Sequence, residues 1–210
     1  MMNNLAVVIV SCDAYSWFWT YWYYYFAKNF GFDYPVYLLS ETRSISLDNV
    51  TVINSEIRNV SHWTKRLRES VAQIPYDNLF VMCDDFLIKA DITEQFTELY
   101  DTFKSVGADS LRIMADRCVG CIMQPTDLAD DIEELMEDSP YKISYSPNIW
   151  KKSFLLKCIQ EDESPWTNEI QGSMRVRRAY LLSIDIPGWY VGAIRRGQLI
   201  PEGKQLIEKI

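Results

Sequence analysis

The chain has 210 residues, of which 48% are hydrophobic and 24% charged, and its formal net charge is −8; this is enough for one domain with a substantial core. A surface that binds nucleic acid needs excess positive charge, so the acidic balance argues against nucleic acid as the main partner. The five cysteines form an odd number, which is typical of a reducing compartment and predicts a cytoplasmic protein.

The first half of the chain alternates between apolar runs and stretches with helical periodicity. Residues 5–12 are a β-branched run that predicts a strand, and a helix capped by Asp13 or Ser16 is expected to follow and to end at Gly31. Further strands are predicted over residues 35–39, 50–53, 79–83 and 110–114, and further helices over 64–73 and 93–105. This alternation predicts an α/β, Rossmann-like fold, with a mostly parallel sheet and helices on both faces.

Residues 14–27 are unusually rich in tryptophan, tyrosine and phenylalanine. The segment is shorter than the run of about 20 apolar residues that a membrane-spanning helix needs. It therefore predicts a helix that is either buried in the core or in contact with a membrane surface, and the sequence leaves both open.

The alternation weakens after residue 115. Helices are predicted over residues 128–137 and 149–159, and late strands over 181–186. Neither a linker nor an internal repeat is visible, so residues 1–210 are predicted to form a single domain with a less regular C-terminal half.

The strand over residues 79–83 ends in two adjacent carboxylates, Asp84 and Asp85. Because carboxylates are costly to bury, the pair is expected where the strand leaves the core, and ligand crevices form at the carboxyl ends of parallel strands. Two acidic groups there suit a divalent cation that carries phosphates. The alternative is that the pair merely begins a loop.

A second group of interest follows Ser164 and Pro165, which together predict the start of a helix. Trp166 and Glu169 are three residues apart and so share one helical face. The indole could support a sugar ring while the carboxylate, with a pKa raised by burial, accepts a hydroxyl proton. Equally, Glu169 could serve only to interact with the helix dipole.

The familiar glycine-rich phosphate cradles are absent, because neither a P-loop nor a G-x-G-x-x-G motif follows the first strand. His62 is the sole histidine, so a catalytic triad or a zinc site with several histidines lacks the necessary residues. Acid–base chemistry would therefore depend on carboxylates.

In chain order, these features resemble bacterial glycosyltransferases of the GT-A fold, and most closely the small enzymes of capsule and lipopolysaccharide assembly. The resemblance covers residues 5–200 and depends on an ordered set of segments rather than on one motif. These segments are the first strand with Asp13, residues 63–67, residues 83–86, residues 149–152, and Pro165 to Glu169.

The resemblance implies an inverting transferase that uses a nucleotide sugar such as a UDP-sugar, with residues 1–115 binding the donor and residues 116–210 the acceptor. Glu169 would be the base, Trp166 would contact the acceptor sugar, and Asp84 and Asp85 would hold Mn or Mg as a D-x-D-type element. The residues implied to contact the nucleoside, diphosphate or sugar are Asp13, Ser40, Glu41, Arg66, Asp84, Arg195 and Arg196.

The sequence departs from the family pattern at Cys83, which occupies the first position of the D-x-D element and is a poor ligand for Mg. No late histidine ligand follows. The acceptor implied is a glycan or a lipid-linked glycan, which places the protein in the cytoplasm or at the inner face of the cytoplasmic membrane. The alternatives are a non-catalytic nucleotide- or sugar-binding module of the same fold, and a metal-dependent phosphohydrolase.

Overall fold

The computed structural model describes residues 4–113, 120–128, 130, 132–160, 162–177, 179–182 and 188–210. The described strands are β1 (Leu5–Val10), β2 (Val36–Ser40), β3 (Val50–Asn54), β4 (Asn78–Cys83), β5 (Phe86–Ile88), β6 (Ser110–Arg112), β7 (Met123–Pro125), β8 (Ile132–Leu135), β9 (Asn148–Lys151), β10 (Ala179–Leu182), β11 (Tyr190–Gly192), β12 (Ile194–Arg195) and β13 (Gln198–Leu199). The described α-helices are α1 (Trp19–Asn29), α2 (Trp63–Ala72), α3 (Thr93–Val106), α4 (Lys152–Cys158), α5 (Pro165–Arg175) and α6 (Pro201–Ile207).

Nine of the described strands form one sheet in the order β3-β2-β1-β4-β9-β6-β10-β8-β7. Strands β1 to β4 are parallel, and in this sheet only β8 and β9 run in the opposite direction. The predicted α/β fold with a mostly parallel sheet is confirmed. The carboxyl ends of β1, β2 and β4 consequently lie at one edge of the sheet.

The sheet is covered on both faces, as predicted. Alternate residues of β1 separate the two cores: Leu5, Val7 and Ile9 pack with α1 and α3, whereas Ala6 and Val8 pack with α2 and α4. This explains why β1 is an unbroken apolar run, since a strand buried on both faces has no polar side.

The aromatic segment after β1 is part of the core. It begins with a 3-10 turn (Asp13–Phe18), and α1 then buries Trp19, Trp22 and Phe26 against the sheet. The helix ends as predicted at Gly31, whose φ is 74°. The predicted burial in the core is therefore confirmed for these residues of α1, whereas Trp17 and Tyr24 of the same segment are exposed. Among the described residues, no helix has the length and apolar character that crossing a bilayer requires.

Two helix predictions in the second half were wrong. The segment predicted as a helix over residues 128–137 contains β8, which pairs antiparallel with β10. The helix predicted from residue 149 starts only at Lys152, because β9 lies antiparallel between β4 and β6. The predicted late strands correspond to β10, and residues 183–186 of that prediction lie outside the described part of the chain.

The C-terminal segment returns to the end of β4. Strand β11 pairs antiparallel with β5, and the Ala193 N–H donates to the Asp85 carbonyl oxygen at 2.7 Å. Helix α6 then covers Ala193 through Gly203, where an added Cβ would lie 2.6 Å from the Ala193 carbonyl oxygen. Glycine at position 203 therefore allows the close approach that holds this segment beside Asp85.

We predict that Gly203→Ala lowers the free energy of unfolding by about 2 kcal/mol, because the new methyl group would overlap backbone atoms of Ala193. Helix propensity alone predicts the opposite, a gain of about 1 kcal/mol. Urea unfolding measures the difference, with Gln205→Ala at an exposed position of the same helix as the control. Equal stability of Gly203→Ala and the native protein would contradict the packing argument.

Candidate active site

The structure brings the predicted residues of the first half together at the carboxyl edge of the sheet. Asp13 follows β1, Ser40 ends β2 with Glu41 directly after it, and the two aspartates follow β4. Hydrogen bonds connect these groups, so the edge is one continuous polar network rather than a set of separate side chains.

Asp13 fastens the segment after β2 to the end of β1. Its carboxylate accepts hydrogen bonds from the Ser40 hydroxyl at 3.1 Å, the Thr42 hydroxyl at 2.6 Å, and the backbone N–H groups of Thr42 and Arg43 at 3.0 and 2.9 Å. Burial alone would raise the pKa of Asp13, but the hydrogen bonds to its ionised form lower it below the ordinary value. The carboxylate thus stays charged and fixes the loop.

Glu41 and Arg66 form a buried ion pair beneath this loop. The Arg66 guanidinium donates to Glu41 Oε1 and, at 3.1 Å, to the Ser11 carbonyl oxygen. The other Glu41 oxygen accepts the backbone N–H of Asp13. Both side chains are therefore satisfied within the protein, which makes the pair a brace between α2 and the ends of β1 and β2.

Asp84 is the most deeply buried carboxylate of the edge, with only 2% of the residue exposed. Its Oδ2 accepts hydrogen bonds from the Ser11 hydroxyl and, at 3.2 Å, from the Trp19 indole N–H, which also donates to Ser11 at 2.7 Å. Burial raises the pKa of Asp84, and the neighbouring Asp85 charge raises it further, whereas the Ser11 and Trp19 hydrogen bonds oppose the shift.

Asp85 is the better candidate for contact with a ligand. Its Oδ1 is buried and has no hydrogen-bond partner among the described residues, and burial raises its pKa. An orphaned carboxylate oxygen of this kind fits a divalent cation, because Mg and Mn take hard oxygen ligands. Among the described residues, no three acidic, histidine or cysteine side chains are placed so that together they could hold a metal ion. Most ligands of such a cation would therefore come from substrate phosphates and water.

Glu169 lies on α5, which begins as predicted: the Ser164 hydroxyl accepts the Thr167 N–H at 3.1 Å. The Glu169 Oε1 accepts the Tyr145 N–H at 3.0 Å. Burial raises the pKa of Glu169, although the hydrogen bonds from Tyr145 and Ser144 and the charge of Arg112 oppose the shift.

Tyr145 connects Glu169 to the aspartates. Its carbonyl oxygen accepts the Cys83 thiol at 3.6 Å, and Cys83 directly precedes Asp84. Burial raises the pKa of Cys83 well above its ordinary value, and the charges of Asp85, Asp84 and Glu169 all contribute. A path of contacts thus runs from Asp84 through Cys83 and Tyr145 to Glu169.

The remaining predicted residues, Trp166, Arg195 and Arg196, are exposed. Trp166 is exposed at the start of α5. Arg195 and Arg196 are exposed in the β12–β13 hairpin, whose turn residues Arg196 and Gly197 have φ values of 51° and 77°. Two residues before Arg195, Ala193 is bonded to the Asp85 backbone. The two arginines therefore lie on the segment that returns to the aspartates.

Three contributing residues were missed by the sequence analysis. Ser11 could have been found from strand register, because β1 and β4 are parallel with Val10 opposite Cys83, which puts Ser11 beside Asp84. Trp19 could not have been found, because the sequence has no pattern that distinguishes it from the other aromatic residues of this segment as a hydrogen-bond donor to Ser11 and Asp84. Tyr145 was hidden because a helix, rather than β9, was expected just after it.

The sheet order, the covered faces and the carboxylates at the strand ends define the α/β, GT-A-like class of fold. No family model matches the chain, and no curated protein matches its sequence. Solved structures of similar fold include residues 1–349 of S. aureus TarS in complex with UDP, with a TM-score of 0.59 and 15% identity over 88% of this chain. TarS 1–349 in complex with UDP-GlcNAc has a TM-score of 0.58 and 16% identity over 93% of this chain.

The chain spans 59% of the length of TarS 1–349 bound to UDP and 60% of the length of the UDP-GlcNAc complex. At this level of identity, the similarity shows that the fold is shared. The same fold therefore accommodates a uridine nucleotide and a UDP-sugar in TarS.

We predict that Arg66→Met lowers the free energy of unfolding by about 3 kcal/mol, because it leaves the buried Glu41 carboxylate without its cation. The double variant Glu41→Gln/Arg66→Met should lose less stability than Arg66→Met alone, since it removes the unpaired charge and keeps an oxygen that can accept the Asp13 N–H. Chemical denaturation of the three proteins measures both effects. A stability of Arg66→Met equal to that of the native protein would contradict the assignment of this pair as a brace.

Proposed function

We propose that this protein is a glycosyltransferase that moves a sugar from a nucleotide donor, preferably a UDP-sugar, to a glycan acceptor with inversion at the anomeric carbon. The observation that carries the proposal is the link from Asp84 and Asp85 through Cys83 and Tyr145 to Glu169. These contacts support a site in which groups that bind the diphosphate and a proton acceptor act together. The shared fold with TarS, which binds UDP and UDP-GlcNAc in the solved structures, supports the choice of nucleotide.

In the proposed reaction, Glu169 takes the proton from an acceptor hydroxyl as its oxygen attacks the anomeric carbon. The new glycosidic bond forms while the bond from the anomeric carbon to the diphosphate oxygen breaks on the opposite face, which inverts the configuration. A pKa raised by burial makes Glu169 a stronger base than an exposed carboxylate. The Tyr145 N–H fixes Oε1 of Glu169 and so would hold the carboxylate in one orientation for the acceptor hydroxyl.

The donor side would be assembled from the network at the strand ends. Asp13, Ser40 and Glu41 would frame the nucleoside, and Arg66 would stiffen this frame from below through its ion pair with Glu41. Asp85, with Asp84 beside it, would hold Mn or Mg against the diphosphate. Such a cation would supply charge neutralisation of the departing nucleoside diphosphate.

Arg195 and Arg196, in the C-terminal hairpin, would also neutralise charge on the departing nucleoside diphosphate. Both are exposed cations on the segment bonded to Asp85, and positive charge near a departing diphosphate stabilises the transition state. If metal affinity is weak because Cys83 replaces a carboxylate, these arginines would carry a larger share of that stabilisation.

The acceptor side would be the exposed start of α5. Trp166 offers a flat apolar surface for a sugar ring, and Glu169 lies one turn further along the helix. We propose that the acceptor is a precursor of a cell-surface polysaccharide or lipopolysaccharide, that is, a glycan or a glycan carried on a lipid. Transfer would take place in the cytoplasm or at the inner face of the cytoplasmic membrane.

A second candidate function is a non-catalytic module that binds a nucleotide or sugar. Two observations favour it: Cys83 stands at the first D-x-D position, and the described residues lack a complete metal-ligand cluster. A non-catalytic module would bind the donor but would neither transfer its sugar to an acceptor nor hydrolyse it. This result would distinguish the module from the enzyme.

We predict that UDP binds in the presence of Mn or Mg, and that Asp85→Asn weakens this binding about tenfold because it removes the negative charge opposite the cation. Titration calorimetry measures both affinities, with and without a chelator. Asp101→Asn, at an exposed position of α3, is the control and should bind like the native protein. Absence of binding across UDP-, GDP-, CMP- and dTDP-sugars with either metal would refute the proposed donor class.

We predict that Glu169→Gln lowers the rate of sugar transfer about a thousandfold, since the amide cannot accept the hydroxyl proton, while UDP binding stays nearly intact. Transfer is measured with a UDP-sugar and an acceptor found by screening glycosides. The control is Asp162→Asn, an exposed carboxylate just before α5. An equal loss of transfer and of UDP binding would remove Glu169 from the role of base.

The pH profile supplies a further check on the same residue. Because burial raises the pKa of Glu169 above its ordinary value of 4.5, the rate should rise with pH through a midpoint above 4.5 as the base becomes ionised. The residual rate of Glu169→Gln should not show this rise with pH. A product with retained anomeric configuration would instead point to a different mechanism.

A further inference from the structure

Helix α5 has the reverse of the usual distribution of side chains. Its buried positions are the polar or small residues Asn168, Gly172 and Ser173. Its exposed positions include Trp166, Ile170 and Met174, which are 67%, 47% and 74% exposed. These three residues, spaced four apart, form a continuous line on one helical face; we call this line the apolar stripe.

Specific hydrogen bonds fix the helix in this orientation. The Asn168 side chain donates to the Cys158 carbonyl oxygen at 3.1 Å and to Glu163, and the Ser173 hydroxyl accepts the Ile143 N–H at 2.9 Å. A Cβ on Gly172 would lie only 3.0 Å from Ile143, so this side of the helix is closely packed. The helix cannot rotate to bury the apolar stripe without breaking these contacts.

The apolar stripe is too small for a stable protein interface. With about 200 Å² for a large apolar side chain, its exposed parts amount to about 400 Å², whereas a stable protein complex buries about 800 Å² on each partner. The stripe is about 12 Å long. A surface of this size and shape matches the apolar side of an interfacial helix, which enters the boundary between headgroups and acyl chains.

The charge distribution favours the same partner. The exposed positions of α5 are Trp166, Thr167, Ile170, Gln171 and Met174, none of which is charged, although 24% of the chain is charged and its net charge is −8. An acidic surface would be repelled by anionic lipids. Around the apolar stripe, however, the helix presents no charge of its own.

We propose that the apolar stripe of α5 rests on the surface of a lipid bilayer. Glu169 lies on the same helix, with its carboxylate bonded to the Tyr145 N–H, so the proposed base would then lie close to the membrane surface. The proposal deepens the proposed function by identifying where a lipid-linked acceptor would meet the protein, but the membrane contact itself does not require that sugar transfer takes place.

The test is sedimentation of the full chain with vesicles made of equal parts of phosphatidylcholine and phosphatidylglycerol, and with vesicles of phosphatidylcholine alone. The native protein should bind both because the contact is apolar, and it should bind phosphatidylcholine alone more strongly because phosphatidylglycerol repels its net charge of −8. The variant Ile170→Ser/Met174→Ser should partition about tenfold more weakly. The matched control Ile122→Ser/Ile210→Ser removes exposed apolar side chains elsewhere and should bind like the native protein.

Three results would overturn the proposal: no vesicle binding by the native protein, equal binding by Ile170→Ser/Met174→Ser, or self-association in lipid-free solution that this variant abolishes. Circular dichroism confirms that both variants fold. UDP titration keeps the two proposals separate. Vesicle binding without UDP binding would defeat only the glycosyltransferase, and UDP binding without vesicle binding would defeat only the membrane contact.

Discussion

The structure depends on one buried carboxylate at the junction of two strands. Asp84 lies where β4 leaves the core, and the Ser11 hydroxyl and Trp19 indole hydrogen-bond to it. A carboxylate is tolerated out of water only when such donors satisfy it. The same Ser11 residue accepts from Arg66 through its carbonyl oxygen. Satisfying Asp84 thus joins the ends of β1 and β4 to α2 and the loop after β2.

The site divides into a rigid side and an open side. On the rigid side, Asp13, Glu41 and Arg66 are already bonded to other parts of the protein, so they hold the edge in shape before any ligand arrives. The open side has the exposed arginines of the C-terminal hairpin and, next to their segment, the buried Asp85 oxygen that lacks a hydrogen-bond partner among the described residues. A charged ligand is recognised best when most polar groups of the site are already held in place and a few still lack a hydrogen-bond partner that the ligand can supply.

Helix α5 combines two roles that its sequence pattern alone would not suggest. Its inner face is polar because it must bond to the strand connection around Tyr145, and this contact is what positions Glu169. Its outer face is free of charge, with Trp166 at its start. One element therefore links the proposed base to the surface on which an acceptor would arrive.

The sequence by itself determined the parallel sheet, the carboxylates at the end of β4 and the start of α5 at Ser164, because apolar runs, strand ends and caps are local signals. It misassigned β8 and β9, since pairing with β10, β4 and β6 overrode local helical patterns. Only the tertiary structure decided that Ser11 bonds to Asp84 and that Tyr145 connects Cys83 to Glu169. Those contacts join residues distant in the chain, and no local pattern encodes which strands become neighbours.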